Sequence, residues 1–266
     1  VGSVKAAERA IAAGVDCIIA QGVEAGGHIA GTVSLVALVP RIVDVVEDRG
    51  IPVVAAGSIS DARGYVAALA LGAQGICVGT RFIATHEAYA NEYYKQQLLH
   101  YSENQTDRTD LYGRFTWRAH VRCLNTPFHQ KWRNSPDTIQ NDDCQPIIGK
   151  SIIYSEDIIL RRFAGQVANP TTIGKLEDMV MLAGQGVGLV KDIVSAGEVI
   201  RRYIDGAKVI IEELNKNCLP KSSVVLENSD ECHFVKKMDY HKREVKKEVE
   251  REGCWAWVKM LCFRIC

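Results

Sequence analysis

A chain of 266 residues, 47% of them hydrophobic, can bury a substantial core and suits one α/β domain carrying an insertion or a tail. Lys plus Arg and Asp plus Glu each total 32, so the formal net charge is zero and no global field favours nucleic acid or an anionic lipid surface. No apolar run approaches the ~20 residues of a membrane span, and the opening VGSVKAAERA lacks a basic-then-apolar secretory pattern, so the expectation is a cytoplasmic protein that acts on a small molecule.

Ser3 is placed to cap a helix from Val4 to Ala13, with Val4, Ala7 and Ile11 on one face and Gly14 past its end. Val15 to Ala20 is short, β-branched and nearly all apolar, as in a parallel strand covered on both faces, and Gln21-Gly22 closes it. Pro40 opens a second predicted helix to about Asp48, with Ile42, Val45 and Val46 inward and Gly50 at its end. Pro52 to Ala56 reads as the next strand, Ser60 or Asp61 caps a third helix ending at Gly72, and Gly75 to Val78 is a third strand. This alternation is the pattern of a parallel α/β sheet.

From Ala88 to about Gln166 aromatic, basic and polar residues crowd together without β-α alternation, which reads as a largely helical insertion. At the end of a barrel strand such a segment serves as a substrate lid or as surface packing. Helical periodicity returns from Leu176, and Ser195 with Glu198 forms a capping box for a helix to about Leu214. Residues 216–266 differ in composition, with a charge-dense stretch from Lys236 to Glu252 and then Trp255 and Trp257. Of nine cysteines, Cys17 and Cys77 fall in strand runs, where small buried thiols are expected. Cys218, Cys232, Cys254, Cys262 and Cys266 lie in the tail without C-x-x-C spacing, so no metal site is expected.

Each strand is followed by a glycine loop: Gln21 to His28, Ala56 to Ser60, and Val78 to Phe82. Ligands of parallel α/β folds bind at the C-terminal ends of the strands, where glycine permits close backbone approach and peptide N–H groups hold phosphate. Gly57-Ser58 and Gly79-Thr80 have the position and residue types for that role. His28 directly follows two glycines, and a histidine there can act as a general base or a charged hydrogen-bond donor.

In their order and spacing, QGVEAGGH, VPRIVDVV, PVVAAGSISDARG, ALALGAQGICVGTRFIAT and MLAGQGVGLVKDI resemble the nitronate monooxygenase (2-nitropropane dioxygenase) family over roughly Val1 to Leu214. The resemblance implies an FMN-dependent (β/α)8 barrel of the TIM type that oxidises alkyl nitronates with O2 to a carbonyl compound and nitrite. It implies that His28 matches the active-site histidine and that Gln21, Gly22, Gly26 and Gly27 match the loop along the flavin. It further implies that Gly57-Ser58 and Gly79-Thr80 match the phosphate loops and that Gln185-Gly186 matches a segment near the active-site mouth. Flavin-dependent enoyl-ACP reductases and NAD(P)H:quinone reductases are related alternatives, and an inactive truncated flavin-binding chain is a third.

The sequence departs from the family at Gly57-Ser58, where Gly-Gly is usual, and at Ala62-Arg63, where Gly-Arg is usual. Only three clear strands precede the insertion and Val1-Gly2 reads as the stub of another, so an incomplete barrel lacking roughly four N-terminal strands is expected. The expected division is residues 1–87 as the C-terminal part of the barrel, 88–166 as insertion, 167–215 as the return to the barrel with C-terminal helices, and 216–266 as an unrelated charged, Cys-rich tail.

Overall fold

The computed structural model of the chain describes residues 1–114, 116, 119–134 and 144–217. Ser3 Oγ accepts from Ala6 N at 3.2 Å and starts α1 (Val4–Ala12), and Gly14 ends it at φ 78°. The chain continues through β1 (Ile18–Gln21), β2 (Gly27–His28), α2 (Leu35–Val46), β3 (Val53–Ala56), α3 (Ala62–Ala70), β4 (Gly75–Cys77) and the single turn α4 (Thr80–Ile83). Asp61 caps α3 by accepting from Arg63 N at 2.9 Å.

Strands β1, β3 and β4 form a parallel sheet in that order, with Ile18 opposite Val53 and Val54 opposite Gly75. Ile18, Ala20, Val53 and Ala55 are buried in one cluster with Leu38, Val39 and Ile42 of α2 and Ala68 of α3. Burying each large aliphatic side chain contributes about 1.5–3 kcal/mol, so this face is the main source of cohesion. The opposite face is open: Ile19 is 47% exposed, and Cys77 is exposed rather than a buried thiol. Val1 lies beside β1, its amine donating to Ile19 O at 2.7 Å and its carbonyl accepting from Gln21 N at 2.8 Å.

Helix α2 begins five residues before the expected start, and Pro40 lies inside it. The cap comes from elsewhere in the chain, because Glu24 Oε1 accepts from Leu35 N at 2.9 Å while Ser34 makes no side-chain cap bond. Proline forgoes the bond to the Val36 carbonyl, on a side of the helix where Val36 is 69% exposed and water can replace the lost donor.

The segment from Ala88 to Gln166 is not largely helical. Its described elements are α5 (Glu92–Leu98), β5 (Thr106–Thr109), β6 (Val121–Leu124), α6 (Pro127–Trp132), β7 (Ile147–Ile153) and β8 (Glu156–Arg161). Strands β7 and β8 are a hairpin closed by Tyr154-Ser155, both at positive φ (51° and 65°), a turn geometry usually announced by Asn-Gly. An irregularity between Ile147 and Gly149 also breaks the alternation, so neither hairpin signal is present locally. β9 (Ile173–Gly174) pairs with β7, while β6 lies between β2 and β5 in a second antiparallel sheet.

Residues 176–194 do not resume a helix; they contain one-turn 3-10 segments at Leu176–Asp178 and Gln185–Leu189. Gly184, Gln185 and Gly186 bond to distant loops instead of to their own chain four residues back. The capping box at Ser195 does open a helix, α7 (Ala196–Asn217), with Glu198 N donating to Ser195 Oγ at 3.1 Å. The chain divides into the units Val1–Ile211 and Glu212–Cys266. Beyond Asn217 the charged, Cys-rich tail lies outside the described residues. Among the described residues no helix is long and apolar enough to cross a membrane, and no group of three or more His, Cys, Asp or Glu side chains could hold a metal ion.

His129 of α6 is fully buried, with Nε2 3.1 Å from Asp107 Oδ2, Nδ1 3.9 Å from Cys123 Sγ, and its ring stacked on Tyr112. Burial pushes the Cys123 thiol up to about 12 and holds the His129 imidazole below its ordinary value, against the opposing pull of Asp107. Below about pH 6.5 the unfolded chain therefore takes up a proton that the folded chain resists, and stability falls as the pH drops. Urea denaturation at pH 7.5 and 5.5 should show the wild type losing more stability over that interval than His129→Gln, which does not titrate. Equal losses would mean that His129 binds its proton as readily folded as unfolded.

Candidate active site

The three glycine loops meet at the C-terminal ends of the parallel strands, and the Gly184–Gly186 segment lies across them. Gly22 N donates to Ala56 O at 2.9 Å, which ties the first loop to the second. Ser58 Oγ donates to Glu24 O at 2.7 Å and accepts from Gly186 N at 3.0 Å, and Ser60 Oγ donates to Gly186 O at 2.8 Å. Gln185 N donates to Glu24 O at 3.0 Å, and Thr80 Oγ1 accepts from Gly184 N at 3.0 Å.

Each expected site residue has a definite place in this arrangement. Gln21 ends β1, and its side chain braces its own loop, with Nε2 donating to His28 O at 2.9 Å and Oε1 accepting from Ala30 N at 2.7 Å. Gly26 packs directly on Gly184, since a Cβ there would stand 2.5 Å from the Gly184 amide nitrogen. Gly27, at φ 74°, turns the chain into β2. His28 is exposed at the end of β2, opposite Val121 of β6. A side chain at Gly79 would meet nothing within 4 Å, so the space beside that loop is open. Gln185 is exposed at the surface of the crossing segment, and Gly186 is buried inside it.

The second loop departs from simple expectation. Gly57 and Ser58 lie at φ 131° and 52°, so the serine occupies left-handed backbone that a non-glycine residue enters at a cost of about 1–2 kcal/mol. A hydroxyl has one proton to give. Ser58 gives its proton to Glu24 O, whereas Thr80, whose oxygen accepts from Gly184, keeps its proton for another acceptor.

Glu24 and Arg122 were not expected here. Glu24 uses its carbonyl to hold Ser58 and Gln185 and its carboxylate to cap α2. Arg122 of β6 is buried beneath the first loop, with Nε and Nη2 donating to Val23 O at 3.3 and 3.1 Å and Nη1 reaching Thr106 Oγ1. Burial lowers its pKa, and the charges of Asp107 and Glu24 oppose that shift. The only advance signal for Glu24 is its place within the QGVEAGGH run, and Arg122 sits in a segment without readable periodicity.

A family profile described as "Nitronate monooxygenase" matches residues 1–206. A nitronate monooxygenase of Neurospora crassa is 31% identical over 223 residues, covering 80% of this chain and 54% of its own length. Among solved structures, FabK from Thermotoga maritima gives a TM-score of 0.61 at 28% identity over 81% of this chain and 62% of that one. A nitroalkane oxidase from Streptomyces ansochromogenes gives 0.59 at 23% identity over 80% and 58%, a likeness of fold alone. The chain spans about half the length of the curated relatives it matches.

The bonds of Ser58 predict an order of stabilities. Ser58→Ala keeps the left-handed strain and strips a partner from the Gly186 amide, so it should cost about 1–3 kcal/mol. Ser58→Gly loses the same bonds but relieves the strain, and should be about 1 kcal/mol more stable than the alanine variant. Chemical denaturation of the three proteins measures the order; an alanine variant as stable as the glycine variant would refute the strain.

Proposed function

This chain belongs to the nitronate monooxygenase family, and we propose that its glycine loops hold FMN for the oxidation of alkyl nitronates by O2 to a carbonyl compound and nitrite. The observation that carries this reading is the convergence of Gln21–His28, Gly57-Ser58, Gly79-Thr80 and Gly184–Gly186 at one end of the parallel sheet. The residues fit the cofactor. Peptide N–H groups of Gly57-Ser58 and Gly79-Thr80 and the hydroxyl of Thr80 would take the phosphate, at a loop with open space beside Gly79. Gly27, where a side chain would meet only Leu182 at 3.8 Å, offers open backbone along the ring. Gly22 and Gly26, packed on Glu24 and Gly184, would meet it through peptide groups alone, and Gln21 holds the loop in place through His28 O and Ala30 N. Bound flavin supplies the electron transfer.

On this reading His28 manages the proton. As a neutral imidazole it takes a proton from the carbon of a nitroalkane; as an imidazolium it holds the nitro oxygens of a nitronate. Its backbone is fixed on two sides, by Gln21 Nε2 and by the pairing of β2 with β6, which suits a group that must keep one orientation through proton transfer.

The test is to mix the purified chain with FMN, measure retention by flavin fluorescence, and assay O2-dependent nitrite release from the nitronate of 2-nitropropane and from the neutral nitroalkane. His28→Asn should keep FMN but lower turnover of the neutral nitroalkane by about 10²-fold or more, with a smaller loss for the pre-formed nitronate. Unchanged turnover of both substrates would remove His28 from the chemistry. Oxidation of NAD(P)H with an enoyl thioester or quinone, without nitrite release, would instead support the reductase alternative.

A further inference from the structure

Immediately after Thr80, Arg81 turns away from the open side of its loop and is buried, its side chain 6% exposed. Nη1 donates to Asp192 O at 2.8 Å and Nη2 to Asp192 Oδ1 at 3.0 Å, so one guanidinium spans the carbonyl and the carboxylate of a single residue. Asp192 also accepts from Arg202 of α7 at 2.7 Å, and Arg202 in turn meets Glu198 at 2.9 Å. Helix α4 is one turn long, with Phe82 and Ile83 N–H returning to Gly79 O, and a single turn has little of its own to fix its direction. The crossing segment grips it at consecutive residues, at Thr80 through Gly184 N and at Arg81 through Asp192.

We propose that Arg81, anchored on Asp192, is a positioning residue that sets the orientation of the Gly79-Thr80 peptide groups for phosphate without touching the ligand. The proposal rests on the flavin reading of these loops. A fork of two parallel N–H groups fixes both the distance and the rotation of α4 against Asp192, which a lysine ammonium, as a point charge, does not. The Asp192–Arg202–Glu198 chain then ties the loop to α7, whose Tyr203 hydroxyl also donates to Ile59 O just beyond Gly57-Ser58. One helix thus backs both loops to which phosphate binding is assigned.

Riboflavin separates positioning from general support, because it shares the ring and ribityl chain of FMN and lacks the phosphate. The full chain and its Arg81→Lys, Arg81→Met and Asp192→Asn variants are titrated with FMN and with riboflavin, and their apo melting temperatures are recorded. The wild type should prefer FMN. Arg81→Met and Arg81→Lys should lose that preference by roughly 10-fold or more while riboflavin affinity changes little, the scale of about one well-made hydrogen bond at the phosphate. Asp192→Asn is nearly isosteric at a residue 41% exposed, so it tests the idea even if the arginine variants do not fold, and it should lose preference in the same direction. Variants that keep the wild-type FMN preference, or that lose both ligands equally with a lowered melting temperature, would overturn the positioning role and leave the flavin reading intact. A wild type that binds FMN no more tightly than riboflavin would instead overturn the phosphate assignment itself.

Discussion

Backbone at the candidate site approaches backbone more closely than any side chain allows. A Cβ on Gly184 would stand 2.9 Å from Glu24 O, and one on Gly186 would stand 2.7 Å from Ser58 O, so the crossing segment can lie on the loops only as glycine. The close approach is held by hydrogen bonds from short hydroxyls and peptide groups rather than by apolar packing. Each such bond contributes about 0.5–1.5 kcal/mol net, but a buried peptide group stripped of its partner costs about 1–3 kcal/mol. Removing one member therefore costs more than the bond it made, and the loops and the crossing segment stand or shift together.

The same kind of constraint holds the part of the chain around His120 and β6. A lid must open, yet β6 pairs with β2 at Gly27 and His28 themselves, and Arg122 donates to Val23 O in the same loop. Ile29 N also donates to His120 O at 2.9 Å. Opening would break these bonds and expose a buried guanidinium, which is costly unless a new partner takes it. This part of the excursion is a fixed wall of the histidine loop.

What the sequence revealed was what is decided locally. Ser3 and Ser195 cap the helices they were expected to cap, and Asp61, one of two candidates with Ser60, caps the third, because a cap needs only a short polar side chain and the next turn of chain. The parallel strands were legible as short apolar runs, and their shared direction brought three loops to one end. Helix α2 was misplaced because its cap is Glu24, eleven residues earlier in a different loop. The β7–β8 hairpin was invisible because Tyr154-Ser155 enters a turn that sequence normally marks with Asn-Gly. Glu24 was missed for a deeper reason: its main contribution at the site is a carbonyl oxygen, a group that every residue has.

Ser58 shows how a local departure redistributes work in the site. Its left-handed backbone costs about 1–2 kcal/mol, and two hydrogen bonds at about 1 kcal/mol each roughly offset that, so serine in place of glycine is close to neutral for the fold. It is not neutral for a ligand. The Ser58 proton is already committed to Glu24 O, so an anion at the second loop finds only peptide N–H groups, while Thr80 at the third loop retains a hydroxyl proton to donate. On the flavin reading the phosphate would lean toward Gly79-Thr80, the loop carried on a single turn of helix. Such a loop holds an anion well only if its peptide groups are oriented in advance, and that orientation comes from the buried Arg81 guanidinium anchored on Asp192.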